Sequence, residues 1–277
     1  MSSSDEYRKL VEEAGLPPEA LPSDAFFNAN VDGELARAAA QAAERAEAAA
    51  ELNIPNSNEI QAARATARAA GESLEPLKIG VLISGSGTNL QALIDRIADG
   101  SLNASIELVV SSRPSAKGLQ RAEKAGIQTL TLSKEIYADP IAADEVIAHE
   151  LMSHGVEYVI MAGYMRMVRD PLLATFPDRI VNLHPALLPS FPGAHAIDDA
   201  YERGVKVTGV TVHFANAAYD AGPIIAQRAL PVEEGWDVDT LEAHIHEIEH
   251  ELYPQVVQLL ADGRIQVRDN LTVAVGD

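Results

Sequence analysis

At 277 residues, with 47% apolar and 22% charged side chains, the chain is long enough for one large domain, or one domain and an appendage, around an ordinary core. A formal net charge of −20 excludes general binding to a nucleic-acid backbone, so an anionic ligand has to be captured locally by backbone N–H groups or a few arginines. The chain has no cysteine, no apolar run long enough to span a bilayer and no secretory signal in its opening Met-Ser-Ser-Ser-Asp-Glu. These features predict a cytoplasmic protein that acts on small molecules, without nucleic-acid or membrane partners, as a monomer or homodimer.

Residues 1–76 differ in texture from the rest. Gly15-Leu-Pro-Pro and Leu21-Pro-Ser-Asp interrupt any early helix. Residues 32–51 have high helix propensity, but their apolar face is mostly alanine and buries little area. After Asn53-Ile-Pro-Asn-Ser-Asn, residues 59–71 resume as a second helix with Gly71 as its stop. The segment reads as a loosely structured helical extension, with a docking or oligomerisation arm as the alternative; residues 77–277 read as the catalytic domain.

Lys78-Ile-Gly-Val-Leu-Ile-Ser84 is a short apolar run of the kind found in buried parallel strands. Ser84-Gly-Ser-Gly-Thr-Asn89 follows and leads into a helix from Leu90, so free backbone N–H groups would meet at the positive end of a helix dipole. It is neither a dinucleotide fingerprint nor a P-loop. Two readings stand, an anion cradle and a plain tight turn. Strands then alternate with helices: strands at 106–111, 127–132, 158–162 and 179–184, helices at 115–126 and 139–154. Further on, strands at 207–214 and 224–232, helices at 197–203 and 237–261, and a small hairpin in the tail complete the pattern. This alternation predicts an α/β fold, a mostly parallel twisted sheet with flanking helices. In such sheets ligands bind beyond the carboxyl ends of the strands. The Ser84–Asn89 turn, the Gly163–Val168 turn and His184 all fall there.

Asn182 and His184 are two positions apart in one strand, so their side chains share a face, and Pro185 ends the ladder. A neutral amide beside an imidazole can move a proton and stabilise an oxyanion. Asp220 returns in a polar turn before Pro223-Ile-Ile-Ala, where its carboxylate could pair with the imidazole. The loop 186–195 between them, with its prolines and Phe191, reads as a covering segment. His244, His246 and His250 lack a third ligand at fixed spacing and the H-E-x-x-H pattern, so they read as a solvated helix face and no metal is expected; Glu249 could reach into a site from the same helix. His149, His154, His195 and His213 read as structural or exposed. Ser84 has no nucleophile elbow around it. From the residues alone, an enzyme with an anion site and an Asn/His/Asp cluster follows, and no substrate is named.

Five motifs in order, Ile83-Ser-Gly-Ser-Gly-Thr-Asn-Leu-Gln-Ala, Val181-Asn-Leu-His-Pro-Ala-Leu-Leu-Pro-Ser-Phe-Pro-Gly-Ala-His, Gly209-Val-Thr-Val-His-Phe, Asp220-Ala-Gly-Pro-Ile-Ile and Glu249-His-Glu-Leu-Tyr-Pro, resemble the phosphoribosylglycinamide formyltransferases over residues 77 to 268. The resemblance implies a Rossmann-like formyltransferase fold and formyl transfer from 10-formyltetrahydrofolate to the glycinamide amine of a purine precursor. It implies Asn182, His184 and Asp220 as catalytic residues, and Gly87, Thr88, Asn89 and Glu249 as substrate-binding ones. It further implies that Met165, Arg166, Met167 and Val168, with Asn216, Ala217, Ala218 and Tyr219, line the folate site. Around Tyr137-Ala-Asp-Pro140 the chain lacks an arginine that many of these proteins carry. A formyltetrahydrofolate deformylase is the alternative; Pro185 after His184, where that pattern has a second histidine, and a phosphate turn useless in hydrolysis speak against it.

Overall fold

The computed structural model describes residues 55–268 and 272–276; the predicted helix at 32–51 lies outside them. Helix α1, Ser57–Ala69, opens on a reciprocal cap: the Asn56 side chain accepts from the Glu59 N–H at 3.1 Å, and the Glu59 carboxylate accepts from the Asn56 N–H at 2.8 Å. It ends just before Gly71, whose φ of +74° is the predicted glycine stop. Over these residues the extension is a packed helix and not loose chain, because it carries polar side chains shaped to the domain. Gln61 is buried and bonds Tyr158 Oη, the Leu260 carbonyl and the Ile265 N–H. Ser57 Oγ lies 2.7 Å from the same Tyr158 hydroxyl.

Seven strands form the main sheet: β1 Leu77–Ile83, β2 Ala104–Ser111, β3 Thr129–Thr131, β4 Tyr158–Met161, β5 Ile180–His184, β6 Val207–Phe214 and β7 Ile224–Pro231. Their order is β3-β2-β1-β4-β5-β6-β7, parallel through β5, with β6 and β7 antiparallel. The order reverses between β1 and β4, which opens a crevice where their loops diverge. The helices are α2 Thr88–Ala98, α3 Lys117–Lys124, α4 Lys134–Ala138, α5 Pro140–Ser153, α6 Asp170–Thr175, α7 Ala196–Glu202 and α8 Val238–Ala261, followed by the hairpin β8 Ile265–Val267 and β9 Val273–Val275.

Alternation along the strands divides the core between the two faces of the sheet. Ile79, Val81, Tyr158 and Ile160 pack with Leu90 and Leu93 of α2 and Ile245 and Val257 of α8. Leu82, Val159 and Met161 pack with Ile147 and Leu151 of α5 and Leu172 of α6. Gly80 faces α5, and a Cβ there would stand 2.3 Å from Leu151 Cδ2, so its missing side chain is what lets the helix approach. Tyr253 clamps α8 to the sheet by donating to the carbonyls of Met161 and Val181, at 3.1 and 2.9 Å.

Among the described residues the predicted elements are present, with differences in extent and two additions. β3 is shorter than the apolar run around it, and α2 starts at Thr88 because Gly87 already turns the chain. The short α4 and α6 were not expected, since their signals are single cap or proline residues: Ser133 accepts from the Ile136 N–H, and Pro171 sits in the first turn of α6.

Candidate active site

The turn after β1 is shaped by close backbone approach. Gly87 sits at φ +70°, and a Cβ on it would lie 2.6 Å from the Gly118 Cα, so both conformation and space demand glycine. With no side chain at this cap, the first-turn N–H groups of α2 are left for an anion. Arg121 of α3 props the turn, donating through Nε to the Ser86 carbonyl at 2.9 Å and through Nη1 to Gln91 Oε1 at 3.1 Å. No sequence signal marked Arg121, one of three basic residues on another helix.

Asn89 turns inward from α2 and donates through Nδ2 to Glu249 Oε2 of α8 at 2.9 Å. Glu249 is only 5% exposed; burial raises its pKa, against the lowering effect of the Asn89 hydrogen bond. Asn89 Oδ1 is buried without a partner among the described residues, an acceptor waiting for an N–H or O–H. Asn89 and Glu249, which the resemblance groups only as substrate-binding residues, are thus in direct contact.

Asn182, His184 and Asp220 also meet. Asp220 adopts φ +51°, a conformation asparagine and aspartate tolerate better than most side chains. Its Oδ2 lies 3.4 Å from His184 Nδ1 and accepts from the Gly193 N–H at 2.9 Å; its Oδ1 accepts weakly from Asn182 Nδ2 at 3.4 Å. His184 is buried, and its Nε2 donates to the Phe191 carbonyl at 2.8 Å. The covering segment therefore lies directly on the imidazole and is fastened to the Asp220 carboxylate. Thr211 pins its base, accepting from the Leu188 N–H and donating to the Ala186 carbonyl.

His213 is a second residue of the site that sequence reasoning missed. Buried in β6 opposite Asn182, it directs Nδ1 at the Phe214 carbonyl, 2.9 Å away, which places the proton on that nitrogen. Nε2 is then a lone-pair acceptor for Asn182 Nδ2 at 3.1 Å, which fixes which way the amide points. Burial lowers the pKa of His213 and keeps this neutral state. Alternation with apolar residues, which suggested a core histidine, was correct about burial and silent about its partner.

Beside this cluster lies a cleft of about 410 Å³ that includes space open to solvent, lined by Met161, Tyr164, Arg166, Met167, Val168, Asn182, His213, Ala215, Asn216, Ala218, Tyr219 and Asp220. Of the eight residues expected there, Met165 and Ala217 do not line it: Met165 is exposed and Ala217 packs against the core below. Arg166 lies over the Tyr137 ring at 4.3 Å, so a cation does reach the region where the sequence lacks one. His195, His244 and His246 stay outside, and no cluster of metal-ligating residues occurs among the described residues.

A family model described as formyl transferase matches residues 77–257. The chain belongs to the formyl transferase family. Among its relatives, the phosphoribosylglycinamide formyltransferase of Bacillus subtilis is 40% identical over 183 residues, covering 66% of this chain and 94% of that one. The human trifunctional purine biosynthetic protein adenosine-3 is 40% identical over 193 residues, and there the match spans 70% of this chain but only 19% of the relative. A crystal structure of glycinamide ribonucleotide transformylase 1 from Symbiobacterium toebii aligns with a TM-score of 0.72 and 46% identity, over 75% of this chain and all of that one. The cleft of this formyl transferase is mixed in character: Met161, Met167, Val168 and Ala218 give it apolar surface, and Asn182 and Asp220 are polar parts of its lining. No described helix is long and apolar enough to cross a membrane.

Proposed function

We propose that this formyl transferase moves the formyl group of 10-formyltetrahydrofolate onto the amine of 5′-phosphoribosylglycinamide in de novo purine biosynthesis. The observation that carries the choice of acceptor is the turn at Gly87–Asn89 joined to the buried Glu249, an anion site next to an acidic acceptor pair, on the same sheet edge as the Asn182–His184–Asp220 cluster. A phosphate would sit on the N–H groups of α2, and Asn89 Oδ1 and Glu249 would receive the N–H and O–H groups of the phosphoribosylglycinamide. The cleft, with Arg166, Met167, Val168, Asn216, Ala218 and Tyr219 in its lining, would take the folate.

As the amine adds to the formyl carbon, its oxygen gains charge, and Asn182 Nδ2 can turn to it the hydrogen it otherwise gives weakly to Asp220, while His213 keeps the other. His184 is the second donor. Because its Nε2 is engaged by Phe191, this role requires residues 191–193 to shift when ligands enter. Asp220, within reach of both, would collect the amine proton on its way to the departing folate nitrogen. The reaction needs only small molecules, and the chain would work as a monomer or homodimer in the cytoplasm.

The test is to mix purified protein with 10-formyltetrahydrofolate, with and without phosphoribosylglycinamide, and follow tetrahydrofolate and formate. Tetrahydrofolate formed only with the nucleotide supports the reading; formate released regardless of it overturns it in favour of hydrolysis. His184→Ala is expected to lower kcat by about 10²–10⁴. Full activity in that variant would contradict the assigned chemistry.

A further inference from the structure

Asp144 is a buried charge that the chemistry above does not use. It sits on α5, 4% exposed, among Ala143, Ile147 and Ala148 of the same helix, which are buried and apolar. Burial raises its pKa to about 6, opposed by a hydrogen bond from the Arg169 backbone and by the charges of Arg169 and Arg166. A buried carboxylate costs stability, and a well-packed apolar side chain would fill the same space at less cost. Its contact gives the reason. Oδ2 accepts from the Arg169 N–H at 2.5 Å, and Arg169 ends the loop that leaves β4 and runs through Arg166, Met167 and Val168 along the cleft.

That loop has three anchors. At its start, Ser84 Oγ accepts from the Met165 N–H at 2.8 Å. In its middle, Arg166 stacks on Tyr137 and donates through Nη2 to the Tyr137 carbonyl at 2.8 Å. At its end, the Asp144 carboxylate holds the backbone. Arg166, Arg169 and Tyr164 from the loop and Tyr137 from α4 are the ionisable groups that face this carboxylate.

We propose that Asp144 is a positioning residue for the formyl donor, holding the wall of the donor cleft in place through the backbone of Arg169. This rests on the reading of that cleft as the donor site. Asp144 touches neither substrate, and a charge-assisted bond to backbone is stronger and shorter than the neutral bond an amide could make in its place. Ionised, the carboxylate holds the wall; protonated, it grips less.

Asp144→Asn in the full chain tests this. The KM for 10-formyltetrahydrofolate at pH 7.5 is expected to rise about tenfold, with the KM for phosphoribosylglycinamide and kcat at saturating donor nearly unchanged. The Kd of wild-type protein for tetrahydrofolate, read by calorimetric titration, is expected to weaken as pH falls through about 6, the value at which Asp144 takes up its proton, and the Asn variant to lack that dependence. An unchanged donor KM, or equal rises in both KM values, would overturn the proposal. Should the variant fail to fold, the wild-type titration decides alone, and a flat Kd between pH 5 and 7.5 overturns it. Ala218→Phe, which fills the cleft, separates the two ideas: if donor KM does not change, the cleft is not the donor site and the proposal falls with that reading.

Discussion

Replacing Asp144 by asparagine is expected to make the protein more stable at neutral pH even as it loosens the donor cleft. Burial has raised the carboxyl from 3.8 to about 6, so the unfolded chain gives up this proton more readily than the fold does. Below 3.8 both states hold the proton and the residue is indifferent to folding; between 3.8 and about 6 only the fold holds it, and stability declines as pH rises through that window. Above the window the deficit is constant. At about 1.4 kcal/mol per pH unit it amounts to about 3 kcal/mol. The amide removes this cost but gives a weaker bond to the Arg169 N–H, a loss of about 1 kcal/mol, which leaves a net gain of about 2 kcal/mol. For a domain of this size that gain is a rise in Tm of roughly 4–8 °C. Urea unfolding followed by circular dichroism at pH 7.5 and pH 4 reads it directly: the variant should lead at pH 7.5 and lose most of its lead at pH 4. A variant less stable than wild type at pH 7.5 would refute the reasoning, because the carboxylate would then be a net stabiliser.

Asp220→Asn leaves the Gly193 N–H an acceptor but removes the charge facing His184, and kcat should fall by about 10²-fold with Tm nearly unchanged, measured by tetrahydrofolate release and thermal melts. Gly87→Ala forces a Cβ to within 2.6 Å of the Gly118 backbone at φ +70°, so the KM for phosphoribosylglycinamide should rise well before that for the donor. Gln61→Ala leaves the Leu260 carbonyl and the Ile265 N–H buried without their partner, at about 1–3 kcal/mol each; the urea midpoint should drop while both KM values hold.

The strand and helix pattern was legible because β1, β2 and β4 contain runs of consecutive apolar residues, Val81-Leu-Ile83, Leu108-Val-Val110 and Tyr158-Val-Ile-Met161, and long helical segments separate most of the strands. The carboxyl-end rule then gathered the Gly87 turn, the Gly163 loop and His184 before any coordinates. What period could not carry were contacts set by tertiary distance. His213 reads as core because it alternates with Val212 and Phe214, yet its value to the site is the lone pair it shows Asn182 from the neighbouring strand. Asp144 looks like any polar residue on an amphipathic helix until the Arg169 N–H is seen 2.5 Å away. Met165 was expected in the cleft from its place in the run 165–168; the loop instead turns its side chain outward, since the Met165 backbone is tied to Ser84.

Composition changes at residue 77, from alanine-rich helix to apolar strand, and contacts cross it. Gln61 and Arg64 of α1 take the Leu260 and Ala261 carbonyls at the carboxyl end of α8, bonds of 2.9 and 2.7 Å that a helix end buried in protein must find somewhere. Asn58 pairs with both the N–H and the carbonyl of Val267, as an added strand would. Gly263 lies so close that a Cβ would stand 2.5 Å from the Ala65 nitrogen. A helix with an alanine face buries too little to dock by hydrophobic area alone, and α1 instead docks through polar side chains that complete the unfinished hydrogen bonds of α8 and the tail hairpin. Since α8 also carries Glu249, the segment that composition marks as an appendage finishes the helix that brings Glu249 to Asn89.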